Sequence, residues 1–297
     1  MNFYDQIASN KRRTVLLMFF FVALITLIGL IIGLFWGSTY FGIGLAVVIG
    51  GIYFLISYYA GASMVLSMTG AKPATKPEYT YLINTVEGLS IAAGLPKVPE
   101  VYIINDTALN AFATGRDPMH SSVCVTTGLL AKLNKVELEG VLAHELSHIK
   151  NFDIRVMLLA SVLVGVTVLL SDFLLRSFLF GGSRDREGGN SNMILIAIGL
   201  GLAILSPIIG QMIQLAVSRQ REFLADASAA QLTRYPKGLA DALRKIKDDP
   251  DPLVDHANKA TAHLFISTPF RKKKSMFVSL FSTHPDIDER IRRLDSM

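Results

Sequence analysis

The stretch Thr14 to Phe35 contains no charged residue and, as a helix, is long enough to cross about 30 Å of hydrocarbon. It is too long for a signal-peptide core and no small-residue cleavage site follows it, so it reads as a retained anchor. After a short turn in which Trp36 and Tyr40 suit a membrane interface, Phe41 to Ala60 makes a second uncharged span. The pair is a transmembrane hairpin. Lys11, Arg12 and Arg13 precede it, which places residues 1–13 in the cytoplasm by the positive-inside rule, and two crossings return the chain there, where Lys72 and Lys76 agree.

Two further apolar runs follow. Val156 to Phe180 is interrupted by Asp172 and Arg176, charges that are costly at bilayer depth; Met193 to Val217 carries Pro207, a kink. Between them 181–192 is a Gly-rich loop. The expected order is therefore a cytosolic N-terminus, spans over 14–35 and 41–60, a cytosolic part over 61–155, spans over 156–180 and 193–217, and a second cytosolic part over 218–297. Composition agrees, with 51% hydrophobic residues, 18% charged and a mean hydropathy of +0.42. The net charge of +5 fits Lys and Arg gathered on one side of a membrane. No nucleic-acid motif accompanies it. The single cysteine, Cys124, forms no internal disulfide, fits a reducing compartment, and sits in a strand-like run where a buried thiol acts as a small hydrophobe.

The chemistry gathers in Ala143 to Asp153, AHELSHIKNFD. Two histidines four apart on a helix, His144 and His148, stand on one face and reach one metal ion, with Glu145 beside them. Neutral imidazole suits zinc, and a catalytic zinc takes three protein ligands and leaves a position to water. Coordination lowers the pKa of that water from about 15.7 to about 7, and Glu145 is placed to take its proton. The surroundings support a helix. Asn134 is an N-cap with Glu137 three residues on, as in a capping box, and Val136, Leu138, Val141, Leu142, Leu146 and Ile149 supply apolar residues at helical spacing, so that a buried face holds the helix while the histidine face looks into a cleft.

Upstream, Pro77 opens a helix that Gly94 and Pro96 close. Val98 to Ile104 and Ser121 to Thr127 read as strands, with Asn110 to Arg116 a shorter one between them. An exposed strand edge there can pair with an extended peptide, backbone to backbone. After the fourth span, SRQREFLADASAAQLT places Glu222 and Asp226 on one helix face. Glu222 is the natural third zinc ligand, and Asp226 can hold a ligand histidine by its second ring nitrogen. His120, His256 and His263 compete for the third position, and Pro285 sets His284 at a helix entrance.

These stretches together, from the N-terminal hairpin through NAFATGR, VTTGLL, LAHELSHIKNFD, SRQREFLADASAA and KATAHLFI to THPDIDERIRRL, resemble the HtpX family of bacterial membrane-bound zinc metalloproteases, relatives of the CAAX prenyl endopeptidases. The resemblance implies a multi-pass α-helical membrane protein of the bacterial plasma membrane, carrying an α+β zincin-like (gluzincin) cytosolic metalloprotease domain, with one zinc per chain. By resemblance His144, His148 and Glu222 bind zinc, Glu145 is the general base and Asp226 supports the site. Asn110, Ala111 and Phe112 lie along the substrate strand, and His284 binds substrate or the oxyanion. Phe152 departs from the family's N-G-D form, a matter of local packing. The implied partners are polypeptides, chiefly damaged or misassembled membrane proteins in quality control, and the lipid bilayer. A CAAX-type or peptide-processing protease is the enzymatic alternative; a non-hydrolytic zinc-containing scaffold or chaperone is the alternative from another class.

Overall fold

Residues 38–159, 219–250, 266 and 285–297, with helical positions between 12 and 26, are described by the computed structural model of the chain. The expected loop 181–192, the span over 193–217 and most of that over 156–180 lie outside the described residues, as do most of the span over 14–35, His256, His263 and His284.

Ser38 starts the first fully described helix by accepting the Phe41 N–H with its hydroxyl, and this helix, α1, runs Thr39–Met68. Among the described residues it is the one helix long and apolar enough to cross a membrane. It differs from the expected span by continuing eight residues past Ala60. Nothing in AGASMVLSM breaks a helix, and the first positive φ among the described residues comes at Gly70.

Beyond α1 lie a two-residue strand, β1 (Lys72–Pro73), and α2 (Lys76–Ala93), which opens with a proline in its first turn and ends on Gly94 in the left-handed conformation that glycine adopts without penalty. Strands β2 (Glu100–Ile104), β3 (Ala111–Asp117) and β4 (His120–Thr126) complete a sheet of order β1-β2-β4-β3, with β2 and β4 parallel and the other pairs antiparallel. The β3–β4 hairpin has Phe112 opposite Cys124 and Thr114 opposite Ser122. Its bulge falls at Gly115, whose φ of 143° no L side chain holds comfortably and where a Cβ would meet the His120 carbonyl. β3, last in the sheet order, is an edge strand.

A short helix, α3 (Thr127–Lys132), leads into α4 (Lys135–Lys150). The expected capping box is present: Asn134 accepts the Glu137 N–H at 3.0 Å and Glu137 accepts the Asn134 N–H at 2.8 Å. α4 is buried on all sides from Glu137 to Ile149 except at Glu139, which corrects the expectation of one buried face. Val136, taken for a core position, is exposed. Helices α5 (Arg219–Thr233) and α6 (Pro236–Asp248) cover the side expected to be open, and α7 (Ile287–Asp295) closes over both. The main core lies between sheet and helices, joining Leu82, Val86, Val125, Leu142, Leu146 and Leu243, while a smaller cluster on the α1 side joins Val65, Leu66, Ile104, Phe112 and Cys124.

Close packing of α4 on α6 depends on small residues. A Cβ at Gly140 would stand 2.7 Å from the Leu239 nitrogen and 2.9 Å from its Cα. Alanine usually stabilises a helix interior by about 1 kcal/mol over glycine, but this backbone cannot yield as a flexible side chain does. Gly140→Ala is expected to lower stability by about 1–3 kcal/mol, read as a fall in the thermal midpoint of the detergent-solubilised protein.

Phe152 follows α4 with φ 62°. The departure from the glycine form is thus a backbone matter more than one of packing, since this residue takes the left-handed turn at a helix C-terminus where glycine is the usual choice. The turn redirects the chain, which is helical again over 153–159, and Arg155 covers the Phe152 ring at 4.9 Å.

Candidate metal centre

Four-residue spacing on α4 brings the His144 and His148 rings together edge to face, their centroids 4.7 Å apart and their Nε2 atoms 3.1 Å apart. α5 crosses α4 here and sets the Glu222 carboxylate 3.7 Å from His144 Nε2 and 3.6 Å from His148 Nε2. The ligand atoms of these three residues all lie within 4.8 Å of one another. Two donors each about 2.0 Å from a tetrahedral zinc stand about 3.3 Å apart, so the imidazole separation suits one ion between them. Glu145 is buried, 3% exposed, and its charge reaches both His148 and Arg290.

Each imidazole is held from behind. His144 Nδ1 lies 3.0 Å from Asp226, and His148 Nδ1 lies 3.0 Å from Asp153. With those nitrogens donating to carboxylates, both Nε2 lone pairs face the common point. Each carboxylate in turn has an arginine. Arg290 grips Asp226 with a two-pronged fork, Nη2 at 2.7 Å and Nε at 2.9 Å, and Arg221 stands 3.3 Å from Asp153. Burial alone disfavours charge on these groups, but the neighbours prevail. Arg290 and His144 hold the Asp226 carboxyl down to about 2. Without a cation in the site, Asp153, Glu222 and Glu145 raise the His148 pKa to about 9, a proton that a bound metal displaces from Nε2, and Asp226 raises that of Arg290.

The charge count supports a divalent cation. Glu145, Asp153, Glu222 and Asp226 are four carboxylates no more than 3% exposed, against two buried guanidinium groups, Arg221 and Arg290. Among the described residues, and with both histidines neutral as zinc ligands are, four negative against two positive charges leaves two negative, the charge that one zinc ion neutralises. Donors, spacing and charge all fit zinc.

Asp153, Arg221 and Arg290 were not singled out from the sequence. For Arg290 a signal was there: it is three residues after Ile287 and four before Leu294, a cation on the apolar stripe of α7. Arg221 likewise shares a stripe with Ala225 and Ala229. Of the competing histidines, His120 is exposed in the hairpin turn and bound to Asp117 at 2.8 Å. Asn110, Ala111 and Phe112 are all buried, and the Ala111 carbonyl at the sheet edge accepts the Ile266 N–H at 3.0 Å. Cys124 is fully buried and burial pushes its thiol up, leaving no reactive thiolate.

The model of peptidase family M48 matches residues 77–297, which take in all the residues of this centre. The chain belongs to peptidase family M48. Its relatives include a protease HtpX homologue of Dictyoglomus thermophilum, 46% identical over 298 residues that cover 99% of this chain and 95% of that protein, and one of Tropheryma whipplei, 45% identical over 294 residues that cover 99% and 98%. Among solved structures, the crystal structure of S. mikatae Ste24p is similar in fold, with a TM-score of 0.52 at 20% identity over 98% of this chain and 67% of that one. As an M48 peptidase with this donor set, the chain is a membrane metalloprotease whose cofactor is zinc.

Proposed function

We propose that His144, His148 and Glu222 hold one zinc ion and that Glu145 is the general base of an endopeptidase. The carrying observation is the convergence in one buried place of two imidazole Nε2 atoms and a carboxylate. A zinc ion held there supplies Lewis-acid polarisation of a scissile carbonyl and acidification of water. The remaining work falls to the chain. Asp226 and Asp153 keep a proton on each Nδ1, so the Nε2 atoms stay turned to the ion. Glu145 takes a proton from the attacking water and returns it to the leaving amine. Asp153→Asn keeps an acceptor for His148 but not its charge, and is expected to weaken zinc binding by about tenfold, measured by chelator competition.

Extended substrate lies along β3 beyond Ala111, whose carbonyl and N–H are already taken within the chain. The Ala111–Ile266 main-chain bond is of the kind that a peptide added to the edge makes. Because the side chains of Asn110, Ala111 and Phe112 are buried, recognition at this edge runs through backbone, which tolerates many sequences. That tolerance suits unfolded membrane proteins, and we assign the protein to their quality control. The four apolar runs and the Lys-Arg cluster before the first favour a multi-pass protein of the bacterial plasma membrane with both termini and the active site cytoplasmic. In liposomes the purified enzyme is expected to cleave an unfolded membrane-protein reporter and to spare a farnesylated CAAX peptide. Preference for the peptide would replace quality control by peptide processing.

A further inference from the structure

The thirty residues of α1 span about 45 Å at 1.5 Å per residue, roughly ten residues more than about 30 Å of hydrocarbon requires. Burial changes along its length. Phe41, Val48, Ile52, Ile56 and Tyr59 are more than half exposed apolar or aromatic side chains. From Gly61 onward one face of the helix is packed, while Met64 and Met68 on the other stay exposed: Leu158 stands where a Cβ on Gly61 would meet it at 3.0 Å, and Val65 and Leu66 join Phe112 and Cys124 in the smaller core cluster. Protein packing on α1 therefore sets in near Gly61, on one face of the helix.

Cations gather at that level. The Arg116 guanidinium lies 4.9 Å from the centre of the Tyr59 ring, and Arg155 donates from Nε to the Arg116 carbonyl while covering Phe152. Since Arg116 sits by Tyr59 whereas Phe112 sits with Val65 and Leu66, β3 runs antiparallel to α1 and its turn with β4 is directed toward the membrane half of the helix. At the tip of that turn Met119 is 48% exposed. Asp117 offsets Arg116 in part, its Oδ2 pairing with Arg116 Nε at 3.7 Å, while its Oδ1 accepts the Met119 and His120 N–H groups and contacts His120 Nδ1; Arg155 has no carboxylate contact of this kind among the described residues.

The geometry points to a docking surface for phospholipid headgroups, with Arg116 and Arg155 taking phosphate oxygens and Met119 dipping among the upper acyl carbons. Arginine forks match phosphate, and tyrosine at such a level marks a membrane interface. A consequence for substrates follows. Asp153, 3.0 Å from His148 Nδ1, is two residues before Arg155, so the metal centre stands just above the headgroups and cuts bonds in the juxtamembrane segments of its substrates, outside the bilayer. This rests on the membrane reading of α1, which the test separates.

The probe is a bimane label on Met119→Cys, with Ile52→Cys on the exposed stretch of α1 and Val136→Cys at the far end of α4 as references. The native Cys124 is fully buried and escapes labelling. In vesicles of three parts phosphatidylcholine to one part phosphatidylglycerol, the Ile52→Cys label is quenched by brominated lipid and the Val136→Cys label by aqueous iodide. The Met119→Cys label is expected to be quenched by lipid brominated high on the acyl chain and severalfold less by iodide than the label on Val136→Cys. Adding Arg116→Gln and Arg155→Gln is expected to raise its iodide quenching severalfold while the Val136→Cys reference carrying the same two changes keeps its own quenching. A Met119→Cys label that behaves like the Val136→Cys label, or one indifferent to the two arginine changes, overturns the headgroup site. An Ile52→Cys label that brominated lipid fails to quench overturns the membrane reading of α1 itself.

Discussion

Glu145→Gln is expected to remove proteolysis while leaving zinc in place. Glu145 is not among the three residues whose donor atoms converge, and its amide counterpart fills the same buried volume without accepting a proton. Positioned proton transfer contributes about 10²–10⁴-fold to a rate, so cleavage of a membrane-protein reporter should fall by about 10³-fold, with metal analysis finding about one zinc per chain in both proteins, as a three-ligand site requires. Equal cleavage by wild type and variant would trace the activity to a contaminant. A variant that no longer cleaves yet sustains the cellular role would move the protein from proteolysis to scaffolding.

Arg290→Met should be the most damaging single change away from the three converging residues. Arg290 is 1% exposed, and its loss strands the Asp226 carboxylate, itself 2% exposed, without its forked partner. Breaking a buried pair from one side costs about 3–5 kcal/mol, visible as a large drop in thermal midpoint. Asp226, no longer clamped, also orients His144 less well, and zinc affinity should fall by about 10–100-fold, as when an outer support of a metal ligand is lost. Removing a positive charge would by itself tighten zinc binding, so the sign decides between the two roles. Weaker binding makes Arg290 a positioning residue; tighter binding makes it an opposing charge. Arg290→Lys keeps the charge without the fork and should fall between. Adding Asp226→Asn to Arg290→Met should cost less than the two single changes summed, because the stranded carboxylate is gone.

Legibility from sequence followed the range of the interactions. The HELSH helix, its capping box, the β3–β4 hairpin and the pairing of Glu222 with Asp226 on one face all follow from spacings of a few residues, where helix and strand geometry leave little choice. The same geometry does not say what covers a face. His144 and His148 were expected to look into a cleft, yet they are buried because α5, arriving from beyond the apolar runs, lies across them.

Sequence alone thus brought together the residues proposed for the chemistry: two imidazoles and a carboxylate neighbour on one helix turn, a carboxylate pair on another, and an uncharged helix long enough to cross a membrane. Tertiary structure decided how that chemistry is tuned. Asp153 reaches His148 because Phe152 takes a left-handed turn, Arg221 reaches Asp153 across 68 residues of chain, and Arg290 reaches His144 across 146. No local periodicity encodes contacts so distant. They form because four carboxylates brought out of water need positive partners, and only the packed arrangement of α4, α5 and α7 reveals which arginines supply them.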